Sequence, residues 1–547
     1  MSKKPCLWRR KHAWQHGTTN MISKEAKKEW LNQPMEDWTF VKDMSNKELW
    51  SELQYQIDGP AQRGWGFKTE PRHHQLAAFL IGTYNQEFLY YMDMGLGKTK
   101  LSLDLLYYYQ VKGQMDRALI VVPNDTSSGD WMLGIEQHSY FKAVELLGTT
   151  KHRWDVFMDN LELKDISLFL VSYIGLQWML TEAMGKDGGK GTKRTAIPNL
   201  LKQFAAQFDA CIFDEIHLVK NKDTLTFKLC NTIAKQCNIR YGLTGTPSGR
   251  NPIDLWSQFF LIDRGATLGE HIGMFRECFF KETTNYAGFP EYNFMKVRTT
   301  QLHERIRNRS LFYADTEVKD LPEWNRKQVP LYFSSEAGEY YKTVVEGFIK
   351  HQASWIEVKN TYHKLRMICS GFISLDVDGE KAKVIFKDNP KLEQLELLLD
   401  SVTDTSKVII FYEYTVSGDL ICKLLTKMKL KHVRLYGETK DKQGVKREFV
   451  NDPSCRVFVA NSKSGNVSLN LQVANYEVFF ESPVSPIIRR QAEKRAHREG
   501  QKASHVHVID LYMKRSIEEK VLSYLKEGKD LMEALQHGKE KLYAKNG

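Results

Sequence analysis

The chain has 547 residues, 42% of them hydrophobic and 12% aromatic, which excludes a disordered chain and suits about three or four domain-sized units. Its formal net charge of +11 is compatible with a nucleic-acid partner without requiring one. Eight scattered cysteines with no C-x-x-C spacing exclude a zinc ribbon and a disulfide framework, and no stretch reaches transmembrane length or forms a signal core. The expectation is a soluble, intracellular, cytoplasmic chain in a reducing compartment, with no membrane partner.

Residues 1–66 are basic and carry Trp8, Trp14, Trp30, Trp38, Trp50 and Trp65. Cys6, His12 and His16 are metal-ligand types but lack a fourth, which argues against zinc. The tryptophans either stack on bases or pack a small helical extension onto a neighbour, and packing is the favoured reading.

Glu70-Pro-Arg-His-His-Gln75 leads into an apolar helix from Leu76. An amide such as that of Gln75, upstream of a phosphate loop, matches the donor and acceptor edge of adenine. The run Phe88-Leu-Tyr-Tyr-Met92 then gives a strand, Asp93-Met-Gly-Leu-Gly97 a loop, and Lys98 onward a helix with leucines at 101, 103, 105 and 106. Strand, glycine loop and helix are the context of a polyphosphate cradle. Gly95 and Gly97 let the amides of Met94 to Thr99, Leu96 among them, crowd an anion at a helix N-terminus. Lys98 would reach the β- and γ-phosphates and Thr99 would ligate Mg²⁺. The strict pattern asks for a glycine where this chain has Met92.

Buried strands follow at Ala118–Pro123, ending at the proline, and at Ile166–Ser172, with a helix between them that starts near Ser128 and carries Trp131. Gly185 to Arg194 is a glycine and lysine loop, a solvated loop before a phosphate-backbone contact. Phe208-Asp-Ala-Cys-Ile-Phe is an apolar strand ending in Asp214-Glu215. Such a pair serves phosphoanhydride hydrolysis: Asp214 would hold Mg²⁺ and Glu215 would polarise the attacking water. After Arg240-Tyr-Gly-Leu, Thr244 and Thr246 flank a glycine and would hydrogen-bond to these carboxylates.

Residues 263–385 mix helical patches with basic stretches, and Leu321-Pro-Glu-Trp and Gln328-Val-Pro-Leu-Tyr-Phe look like a strand entering a second unit. From Asn389 a second pattern of alternating strands and helices begins, with strands at 407–412, 432–437, 456–460, 476–480 and 506–510 and a last helix from Ser516 to about Leu535. Within it, Gln491, Arg495 and Arg498 fall at i, i+4 and i+7 and are expected on one helix face. Two guanidiniums brought from a second unit to a γ-phosphate would neutralise transition-state charge as arginine fingers.

Together these segments resemble the Swi/Snf family of DNA-stimulated ATPases, within the superfamily II helicases. The resemblance runs from about Pro71 to Leu535, through Asp93–Thr99, the Asp214-Glu-Ile-His217 box, Leu243–Pro247 and Arg489–Gln501. It implies ATP and Mg²⁺ as cofactors, an adenine-reading role for Gln75 and a coupling role for His217, Thr244 and Thr246. It places Gly465, Asn470 and Leu471 in the family's fifth motif, although Asn466 and Ser468 stand where glycines are usual. It also implies a monomer that translocates on duplex DNA. A strand-separating or branch-migrating helicase, and a non-catalytic DNA-binding scaffold, are the alternatives. No histone-reader module is recognisable, so the resemblance is to a compact motor of phage or bacterial type, which would be nucleoid-associated. The expected fold class is α/β, with two RecA-like doubly wound parallel sheets. The expected layout is an extension at 1–66, lobe one at 67–262, a connector at 263–385 and lobe two at 386–547.

Overall fold

The computed structural model describes residues 23–57, 65–163, 165–183, 194–245, 251–284, 290–318, 322–349, 355–377, 380–402, 405–439, 441–462, 471–498 and 501–536. Two all-parallel sheets dominate. The strands of the first are β1 (Glu87–Met92), β2 (Ala118–Val122), β3 (Lys142–Glu145), β4 (Ile166–Ser172), β5 (Ala210–Asp214), β6 (Ile239–Thr244) and β7 (Ser310–Tyr313), in the spatial order β7-β1-β6-β5-β2-β4-β3. Those of the second are β8 (Glu323–Leu331), β9 (Val408–Tyr412), β10 (His432–Leu435), β11 (Val457–Asn461), β12 (Tyr476–Phe479) and β13 (His505–Met513), in the order β8-β13-β12-β9-β11-β10. The chain is thus α/β with two doubly wound lobes.

Apolar residues on both faces explain the parallel sheets. In β1, Leu89 and Tyr91 enter one core, while Phe88, Tyr90 and Met92 enter the core on the opposite face. Strand β9 does the same: Ile409 and Phe411 face one way, Val408, Ile410 and Tyr412 the other.

The stretch 263–385 differs from the expected connector. It supplies an edge strand to each sheet: β7 pairs with β1, and β8 with β13. Its helices Ser335–Ile349 and Trp355–Cys369 share a core with Ile517–Lys526 and Leu531–Gln536. That last pair was expected as one helix. Gly528, at φ +68°, turns the chain left-handed between them.

The described part of the extension packs onto the first lobe. Trp30 is buried beneath the Arg305 guanidinium, 3.7 Å from the ring centroid, and Trp65 stacks on Phe79. Trp8, Trp14, Cys6, His12 and His16 lie outside the described residues. The seven described cysteines are free. Among the described residues, no helix is long and apolar enough to cross a membrane.

Candidate active site

The phosphate loop is built as its glycines require. Gly95 (φ +85°) and Gly97 (φ +78°) are left-handed, and Gly97 caps the helix Lys98–Val111. The Lys98 ammonium donates to the carbonyls of Met92 (2.8 Å) and Asp93 (3.3 Å). Burial draws its pKa below the ordinary value, against the charges of Glu215 and Asp214, which raise it. The loop is braced from behind. The carbonyl of buried Leu96 accepts from the Gln75 amide at 3.4 Å and lies 3.0 Å from His74 Nε2, while Gln75 Oε1 accepts from the Arg72 amide at 3.0 Å. Gln75 is therefore fully buried as a brace between its own helix cap and the loop. From the side, Gly245 sits so close that an added Cβ would lie 3.3 Å from Met92 O and Met94 N.

The acid pair stands at the end of β5. Asp214 Oδ2 accepts from Trp131 Nε1 at 2.9 Å, Oδ1 accepts from the Glu215 amide at 3.0 Å, and its carbonyl accepts from the Tyr173 hydroxyl at 2.9 Å. Glu215 is left-handed (φ +48°), uncommon for a side chain of its size, and turns its carboxylate toward β6. There Thr244 Oγ1 donates to Glu215 Oε2 at 2.9 Å and lies 2.8 Å from His217 Nδ1, itself 3.1 Å from the same oxygen. With the hydroxyl proton spent on Glu215, the threonine accepts from an Nδ1–H, which sets the His217 tautomer. Glu215, His217 and Thr244 are thus brought together, while Thr246 falls outside the described residues.

The two carboxyls titrate apart. Burial, then the Glu215 charge, push Asp214 up to about 6. Burial raises Glu215 too, but the His217 hydrogen bond and charge, Lys98 and Thr244 outweigh it and hold it below its ordinary value.

The second lobe closes over the loop. A Cβ on Gly95 would lie 2.7 Å from Arg498 Cβ and 3.1 Å from its Cα. Lys494 bonds to Asp315 and lies 3.9 Å from Asp93, and Lys446 donates to Asp130 at 2.5 Å. Arg495 is buried beside Glu477, and burial draws its guanidinium down to about 10, which leaves it charged at neutral pH.

One expectation is corrected here. Gln491, Arg495 and Arg498 do not share a helix face, because the helix Pro486–Glu493 stops before either arginine. The Ala496 amide is taken by the buried Glu477 carboxylate (3.2 Å) and the Leu471 amide by the Arg495 carbonyl (3.1 Å), which draws the chain into a turn. The helix itself is pinned by Arg489 and Arg326 on Glu493 and by Arg489 on Asp510. Gln491 is half-buried and its side chain makes no hydrogen bond among the described residues, and Gly465, Asn466, Ser468 and Asn470 lie outside them.

The donor set suits Mg²⁺, which takes one or two protein oxygens and completes its octahedron with water and phosphate. Among the described residues no group of three or more His, Cys, Asp or Glu gathers to hold a metal by itself. Asp214 and Thr99 remain as hard-oxygen donors, and one helix, Asp125–His138, touches both: Trp131 bonds to Asp214, and a Cβ on Gly134 would meet Thr99 Cγ2 at 2.7 Å. Sequence reasoning missed this helix's part, as it missed His74 and Tyr173. The only signal was Trp131 itself.

The SNF2-related domain model matches residues 73–382, more than half of the chain. The chain belongs to the SNF2 family. The helicase conserved C-terminal domain follows at 390–500, so this SNF2 chain carries both halves of the family's ATPase core. It is 26% identical over 466 residues to the nuclear protein STH1/NPS1 of Saccharomyces cerevisiae, covering 79% of this chain and 32% of that one. It is 26% identical over 446 residues to the ISWI chromatin-remodeling complex ATPase CHR11 of Arabidopsis thaliana, covering 79% and 39%. The SNF2 chain thus spans well under two thirds of these relatives. The Sulfolobus solfataricus SWI2/SNF2 ATPase core in complex with dsDNA overlaps 85% of this chain and 92% of that one, at 21% identity and a TM-score of 0.39. At that overlap the topology of the two sheets, rather than the likeness, carries the fold.

Proposed function

We propose that this SNF2 chain is an ATP-driven motor that moves on duplex DNA, with lobes divided near residue 320. The carrying observation is that Arg498 of the second lobe lies against Gly95 of the phosphate loop, beside Lys98 and the acid pair. The loop amides and Lys98 would bind the β- and γ-phosphates of ATP, and Gln75, by bracing the loop, would hold it in shape. Thr99 and Asp214 would hold Mg²⁺, which neutralises charge on the triphosphate. Glu215, oriented by Thr244 and His217, would take a proton from the attacking water. Arg498 and Arg495 would meet the charge that develops on the γ-phosphoryl oxygens. Because both lobes build the site, each turnover would open and close the cleft. A basic chain gripping phosphates would step along DNA without regard to sequence.

ATPase rates measured in parallel with duplex, single-stranded and branched DNA and with RNA, at one stated salt, test this reading. Duplex is expected to stimulate most, with displacement of a third strand from a triplex and no unwinding of a forked duplex. Strand separation would favour the branch-migrating helicase. Flat rates with every nucleic acid would favour the scaffold.

Asp214 adds a pH dependence. Its carboxyl is raised to about 6, so below that pH it holds a proton and no longer serves a cation. The kcat/KM for Mg·ATP, which reports the free protein, is expected to be level above pH 7 and to fall with slope one below about pH 6. A level profile down to pH 5 would take Asp214 out of the metal site.

A further inference from the structure

The helix Asp125–His138 holds a short run, Gly129-Asp-Trp-Met-Leu-Gly134, whose residues point two ways. Successive residues on a helix are about 100° apart, so neighbours can face different elements. Gly129 and Asp130 face the second lobe: a Cβ on Gly129 would meet Gln443 Nε2 at 3.1 Å, and Asp130 receives Lys446 at 2.5 Å. Trp131 and Gly134, three apart and so on one face, meet Asp214 and Thr99.

We propose that Trp131 is the positioning residue for Asp214, and that Asp130, through Lys446, makes this positioning depend on the second lobe. This rests on the reading of Asp214 and Thr99 as the Mg²⁺ donors.

Three observations carry it. Trp131 is 3% exposed and gives its single N–H to Asp214 Oδ2, while the other carboxylate oxygen is held by the Glu215 amide. Both carboxylate oxygens are therefore oriented, one from β5 itself and one from the helix. Next, the Asp130–Lys446 pair joins the lobes at side chains only 11% and 7% exposed, where a bond is little screened by water. Asp130 Oδ2 is buried with no hydrogen-bond partner among the described residues, so Lys446 is the bonded partner that holds this carboxylate. Finally, Gly134 lets the helix approach Thr99 closely, so a shift of the helix would reach both donors at once. Groups that orient a metal ligand from behind are worth about 10- to 100-fold in metal affinity.

The test titrates Mg²⁺ against binding of a fluorescent, non-hydrolysable ATP analogue to the full chain. Trp131→Phe keeps the ring and removes the donor. It is expected to leave binding in EDTA within about twofold of wild type and to raise the Mg²⁺ midpoint about tenfold. Lys446→Met, which removes the ammonium bonded to Asp130, is expected to raise the midpoint about threefold, and the double variant to match Trp131→Phe alone. An unmoved midpoint in Trp131→Phe, or equal losses with and without Mg²⁺, overturns the positioning role. A Lys446→Met shift that persists in full on the Trp131→Phe background overturns the link to the second lobe. Should Trp131→Phe not fold by circular dichroism, Lys446→Met decides, and an unmoved midpoint overturns the proposal. A Lys98→Ala chain that binds the analogue as wild type does would overturn the ATP site itself, a result separate from these.

Discussion

Lys98→Ala is expected to abolish ATP turnover, with kcat at least about 10³-fold below wild type and nucleotide binding weakened as well. The ammonium does three jobs that no neighbour can assume. It closes the loop by bonding to the carbonyls of Met92 and Asp93. It is a cation whose charge favours the ionised forms of both Asp214 and Glu215. In the proposed site it is also the group that would meet the triphosphate. Removing one preorganised charged donor from a site of this kind costs about 10²–10³ in rate. Here the loss compounds: without Lys98 both buried carboxyls gain protons more easily, and a protonated Asp214 is a poor cation ligand. Phosphate release at saturating duplex DNA measures this, with a thermal melt to show the variant folded. Hydrolysis at the wild-type rate would remove the loop from the site.

What could be read from residues alone was what local chemistry dictates. Apolar runs bounded by turn residues located the strands, and the strand, glycine loop and helix around Gly95–Lys98 stand as the spacing predicts. So does the acid pair at the end of β5. What could not be read depended on partners far away in the chain. The spacing of Gln491, Arg495 and Arg498 is helical, yet the helix ends at Glu493 because Glu477, on a strand 19 residues before Ala496, captures the Ala496 amide. No local pattern reveals such an acceptor. Within 263–385 the strand entering the second unit could be read near 321–333, but not its place in a sheet: β8 is an edge, mostly exposed, and lacks the apolar run of a central strand. Nothing near Asp130 or Trp131 in the sequence marks a partner, and only the assembled lobes show one facing Lys446 and the other Asp214. The bond from the Gln75 amide to the Leu96 carbonyl, 21 residues on, is likewise visible only in the fold.

Arg498→Ala is expected to lower kcat about 10³-fold while ATP affinity changes no more than about threefold. An arginine supplied from across a cleft is worth 10³–10⁵ in phosphoryl transfer because it meets charge that exists only near the transition state. Arg498 has that placement, on a turn of the second lobe with its Cα and Cβ against Gly95. Its charge also depresses the Lys98 ammonium, as two cations facing one position must. Removing it relieves that repulsion, so the ground-state grip of Lys98 on phosphate should not suffer, and the loss should fall on turnover. Arg495 differs. It is buried, and the Glu477 charge favours its ionised form, so Arg495→Ala would strand that carboxyl and cost stability along with rate. Arg498→Lys keeps the charge but not the planar fork and should recover little. Single-turnover hydrolysis beside equilibrium binding separates the two effects. If affinity collapses while turnover per bound ATP stays intact, Arg498 holds the ground state and the second lobe does not complete the chemistry.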